Sequence, residues 1–211
     1  MKNFLIYILI LLSNTLYGQC VGNQTVPGPT LNPPPPVNGY LPGTVVTVCY
    51  TMVGWPGLNV QTNYLEGFVI DLGPGWTNLT PGTPPINCQG GGGNWLWLIT
   101  TTSVFTGITV GPGWFFNSQQ GCSPCNNALS GDDWGDFGSC TWSFCFSVTV
   151  VNSCMSSPGD LLIQVTAGSD GTWGSWNNNG VPVNPCPPTP FTIYNGQINT
   201  NLPNISSISH N

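Results

Sequence analysis

From Thr44 onward the chain alternates apolar and polar residues with a period of two. In Val45-Val46-Thr47-Val48-Cys49-Tyr50-Thr51-Met52, the residues Val46, Val48, Tyr50 and Met52 share one face of an extended strand. The clearest such segment is Thr141–Val151. There Trp142, Phe144, Phe146, Val148 and Val150 point one way and Thr141, Ser143, Cys145, Ser147 and Thr149 the other, the signature of a half-buried antiparallel strand. Phe68–Leu72 is a further strand, closed by Gly73-Pro74-Gly75-Trp76. Trp95–Thr102 and Phe105–Val110 lead into Gly111-Pro112-Gly113-Trp114-Phe115-Phe116. Asp160–Thr166 runs to the turn Ser169-Asp170-Gly171, and Phe191–Tyr194 is the last strand, with Asn195-Gly196 behind it. No window sustains helical periodicity. About seven or eight short strands separated by turn signals predict an all-β fold, an antiparallel β-sandwich of Ig-like or jelly-roll-like type.

The flanks read differently. Residues 1–18 carry Lys2, the apolar run Phe4–Leu12 and the small residue Gly18, the pattern of a signal peptide cleaved before Gln19. The run is shorter than the roughly 20 residues a spanning helix needs, so no transmembrane segment is expected after cleavage. Gln19 separates Gly18 from Cys20, which argues against a lipoprotein signal. Residues 19–43 form a Pro/Gly-rich lead, with Pro33–Pro36 expected as a polyproline II spacer. The sandwich is expected over 44–196 and a flexible polar tail over 197–211.

Composition narrows the chemistry. Only 4% of the 211 residues are charged, against about 25% in ordinary soluble domains. Beyond Lys2 there is no lysine or arginine, and the single histidine is His210. Nucleic-acid binding by phosphate neutralisation is excluded, as are arginine clamps, lysine Schiff bases and P-loop chemistry. Disorder is not implied, because the chain holds 9 Trp, 9 Phe and 6 Tyr.

The 9 cysteines all lie beyond the signal segment, so several disulfides are expected in an oxidising compartment, with one thiol left over. Cys49 and Cys145 both fall on the polar faces of their strands, in the matching contexts Val-Cys-Tyr-Thr and Phe-Cys-Phe-Ser. They can bridge if those strands are neighbours. Cys154 and Cys186 bracket the Asp160 strand and form a second candidate pair. A zinc site from Cys122, Cys125, Cys140 and Cys145 is disfavoured by its loose spacing and by the compartment.

Several segments together resemble a known module. They are Cys49-Tyr50-Thr51-Met52, Asn63-Tyr64-Leu65-Glu66-Gly67-Phe68-Val69, Gly73-Pro74-Gly75-Trp76 and Gly111-Pro112-Gly113-Trp114-Phe115-Phe116-Asn117-Ser118. Gly131-Asp132-Asp133-Trp134-Gly135-Asp136, Thr141-Trp142-Ser143-Phe144-Cys145-Phe146 and Asp170-Gly171-Thr172-Trp173-Gly174-Ser175-Trp176 complete the series. Over residues 44–194 this series resembles β-sandwich modules of the large secreted surface proteins of Bacteroidetes, the group that uses gliding motility and type IX secretion. The resemblance implies an extracellular β-sandwich and brings no catalytic residues with it.

Three kinds of site remain. Asp132, Asp133 and Asp136, in a Gly-rich loop, are candidate ligands for Ca²⁺, a hard cation that takes oxygen donors. Trp95 and Trp97 share one face of a strand and are a candidate stacking platform for glycans. Glu66 and Asp71 could begin a carboxylate pair for glycoside hydrolysis, the weakest of the three readings. The expected function is that of an exported, disulfide-stabilised structural or adhesion protein of the cell surface or outer membrane, without catalytic activity. Its partners are then surface proteins or glycans. The alternatives are a carbohydrate-binding module and an accessory subunit of an outer-membrane secretion or gliding-motility assembly.

Overall fold

Strands that bury one face and wet the other become sheets when the buried faces meet, and the computed structural model shows that arrangement. It describes residues 29–55, 64–88, 93–102, 107–118, 135–136, 138–152, 157–169 and 190–200. The strands among them are β1 (Thr30–Asn32), β2 (Val45–Trp55), β3 (Leu65–Leu72), β4 (Trp76–Pro81), β5 (Gly93–Leu98) and β6 (Thr101–Thr102). They continue with β7 (Thr109–Val110), β8 (Gly113–Ser118), β9 (Gly138–Val150), β10 (Ile163–Ser169) and β11 (Phe191–Tyr194). No helix occurs among the described residues.

One sheet has the order β1-β2-β9-β4 and the other β11-β10-β3-β8-β5, while β6 and β7 pair separately. All pairings between these strands are antiparallel. The two larger sheets stack through aromatic rings. Phe68 of β3 lies flat on Phe144 of β9 with centroids 4.3 Å apart, and Trp95 of β5 meets Phe144 edge-on at 5.1 Å. This is the all-β antiparallel sandwich that the alternation predicts.

Val46, Val48, Met52, Trp142, Phe144, Phe146 and Val148 are all fully buried. Each such side chain contributes about 1.5–3 kcal/mol by leaving water. The opposite face of the same strands carries hydroxyls, and Thr47 and Ser147 bond across the ladder at 3.1 Å.

The structure redraws three segments. Gly73-Pro74-Gly75 closes β3 after Leu72, as expected, and is a turn. Its amides donate to Leu162 and Asp160 carbonyls, and the chain then crosses to the other sheet as β4. Gly111-Pro112-Gly113 likewise leads into a strand, β8, which sits between β3 and β5 and buries Trp114, Phe115 and Phe116. What reads as one strand over Trp95–Thr102 is two, β5 and β6, parted by Ile99 and Thr100.

The sandwich also reaches past its expected boundaries. β1, within the Pro/Gly-rich lead, pairs with β2 through Thr30↔Cys49, Leu31↔Val48 and Asn32↔Thr47. Tyr40 and Ile198, expected in the Pro/Gly-rich lead and the tail, are 1% and 3% exposed and form a bridge with each other. The Asn199 amide donates to the Tyr40 carbonyl at 2.7 Å. Two large apolar side chains gain more by burial than the flanking glycines and prolines lose in freedom, so lead and tail are drawn onto the core.

Tyr40 donates its hydroxyl to the Pro33 carbonyl at 2.6 Å. Burial, with a smaller contribution from Tyr194, pushes its phenol from 10.0 up to about 12. Burial also raises Tyr50 and Tyr194. The unfolded phenols ionise near pH 10 while the folded ones still hold their protons. Their stabilising contribution is therefore complete below about pH 10 and is lost as the pH climbs towards about 12. The melting temperature should be flat to about pH 10 and fall above it, and Tyr40→Phe should remove part of that slope. A flat profile through the whole window would contradict this.

Candidate functional site

Asp136 stands beside the first residue of β3, joined to Leu65 by a reciprocal pair of backbone bonds of 2.8 Å each. Its side chain is fully buried. Oδ2 accepts the indole N–H of Trp142 at 2.8 Å, the indole N–H of Trp95 at 3.3 Å and the backbone N–H of Cys88 at 2.9 Å. Oδ1 accepts the same Cys88 amide at 3.2 Å. Trp95 belongs to one sheet and Trp142 to the other, so this one side chain ties the two layers together. In a chain without lysine or arginine beyond Lys2, N–H dipoles take the place that a cation would otherwise fill.

This geometry bears directly on the residues singled out from sequence. Asp132 and Asp133, the other two candidate calcium ligands, lie outside the described residues. Asp136 would have to abandon two indoles and a backbone amide to ligate a metal. Trp95 is 2% exposed, held by Asp136 and packed edge-on against Phe116, so its faces are closed to a sugar. Its role as a stacking platform is therefore corrected: the residue is core. Trp97, two positions along, is partly exposed and meets Trp114 edge-on at 5.3 Å.

Glu66 is 3% exposed and Asp71 is open to solvent, so they do not share an accessible site. Cys49 and Cys145 face each other across β2 and β9 and are joined by a disulfide. Cys145 is thereby unavailable to zinc. Cys88 is also disulfide-bonded. Cys154 and Cys186 fall outside the described residues.

A feature that the sequence does not announce lies beyond the other end of β3. Ile163 pairs with both Leu72 and Tyr194, which brings β11 and the following loop to that end. There, segments 35–39 and 194–197 enclose an open cleft of about 400 Å³. Tyr194 forms one wall and joins Tyr40 and Trp76 in a three-ring cluster with centroids 6.0–6.3 Å apart. Trp76 is 6% exposed, and its indole N–H has no acceptor among the described residues. The cleft's polar side chains, from Asn38, Asn195, Gln197 and Tyr194, make no side-chain hydrogen bonds among the described residues. No charged residue lines it.

No helix among the described residues is long and apolar enough to cross a membrane. Comparison with protein-family models, with curated proteins and with solved structures finds no match to this chain.

Proposed function

We propose that the protein is an exported structural or adhesion component of the cell surface, without catalytic activity. The observation that carries this reading is the Cys49–Cys145 disulfide, which staples the two central strands of one sheet. Such bonds persist where the surroundings are oxidising, and the apolar run at residues 4–12 supplies a route of export. The partners are surface proteins or glycans.

The test is to treat intact source cells with proteases and follow the protein with antiserum. Proteinase K, which cuts at many residue types, should remove it, whereas trypsin should leave it whole because no lysine or arginine follows Lys2. A deletion strain should attach less well to its substratum. Protection from proteinase K until the cells are broken, or unaltered attachment, would overturn the proposal.

A further inference from the structure

We infer that the cleft between residues 35–39 and 194–197 binds a neutral saccharide. Four observations carry this. The first is size: about 400 Å³ lies within the range of small-ligand sites, roughly 300–1,000 Å³. The second is the chemistry of the walls. The amides of Asn38, Asn195 and Gln197 each offer a donor and an acceptor, as a sugar's hydroxyls do, and none is spent on another side chain or on the backbone.

The third is the Tyr194 ring, an amphipathic surface with an apolar body and a polar tip. Tyr40 and Trp76 hold it in place, so little rotamer freedom is left to lose on binding. Burial raises the Tyr194 phenol, which keeps its O–H as a donor through the neutral range. The fourth is the bare backbone at the base. A Cβ on Gly39 would run into the Gln197 carbonyl, and a Cβ on Gly196 into the Tyr194 hydroxyl. Gly39 keeps the two segments at this spacing and has a φ of 83°, which favours glycine, while Gly196 leaves room for the Tyr194 ring beside it.

Charge selects the ligand class. The cleft has no cation to hold a phosphate, sulfate or carboxylate, and no carboxylate to hold an amine or metal. The chain as a whole, at a formal charge of −6, repels polyanions. A proline-rich peptide would need an aromatic-lined groove, and here a single ring lines the wall. The inference gives the adhesive reading a ligand and rests on it only for where the binding takes place.

The test is saturation-transfer NMR and calorimetric titration of the folded, disulfide-bonded protein. The probes are glucose, galactose, mannose, N-acetylglucosamine, cellobiose, maltose and lactose, with glucuronic acid and a polyproline peptide as controls. At least one neutral sugar should bind, and glucuronic acid should not. Asn195→Ala/Gln197→Ala, which alters only exposed side chains, should weaken binding at least tenfold with an unchanged melting temperature. Gly196→Ala should also weaken binding, by displacing Tyr194. Binding of none of the neutral sugars, equal binding by the double variant, or preference for the peptide would overturn the inference. A protein that binds sugar yet proves internal to the cell would refute the surface role and leave this site standing.

Discussion

Asp136→Ala should cost about 4 kcal/mol of unfolding free energy, because it strips two buried indole donors and a partly buried backbone amide of their acceptor at once. The indole N–H groups of Trp95 and Trp142 and the backbone N–H of Cys88 all converge on this side chain. Each buried indole donor left unsatisfied costs about 1–3 kcal/mol, and the partly buried amide less. Asp136→Asn discriminates between shape and chemistry. Its carbonyl can occupy the Oδ2 position and keep both indoles, but its NH₂ must then face the Cys88 amide that Oδ1 accepts. That variant should lose about 2–3 kcal/mol. Against a typical net stability of about 5–15 kcal/mol, either loss is easily read from urea denaturation followed by tryptophan fluorescence. An Asn variant within about 0.5 kcal/mol of the parent would mean that the carboxylate is not the tie between the sheets.

Removing the Cys49–Cys145 bridge by the double variant Cys49→Ala/Cys145→Ala should cost about 4 kcal/mol. The two residues are 96 positions apart, so the cross-link takes a large loop out of the unfolded ensemble. The folded state should change little. β2 and β9 remain paired over ten register positions from Val45 to Trp55, and the cysteines lie outside the aromatic core. The denaturant slope m should rise, because the unlinked chain exposes more surface on unfolding. A loss below about 1 kcal/mol with an unchanged slope would show that other constraints already hold the unfolded chain.

The two sites differ in how far they could be foreseen. The bridge is legible because strand parity places both cysteines on one polar face, and side-chain alternation is a property of the extended backbone itself. The role of Asp136 is not legible. Beside Asp132 and Asp133 it reads as part of a metal loop, and its hydrogen-bond partners lie on other strands and a distant loop. Trp95 and Trp97 show the same limit. They share a face of the same strand by parity, yet Trp95 is buried against Phe116 and Phe144 while Trp97, two positions along, stays partly exposed.

The alternation in Val45–Met52 and Thr141–Val151 determined by itself an all-β sandwich and the face on which the Cys49–Cys145 disulfide lies, and the composition left lysine and arginine only at Lys2. Those properties depend on residue type and on the two-residue repeat, both local. Only the tertiary structure decided that β4 and β8 continue past their glycine turns, that Asp136 meets two indoles, and that residues 35–39 and 194–197 enclose a cleft. Each depends on segments far apart in the chain, brought together by the burial of Tyr40, Trp76 and Ile198 on the shared core.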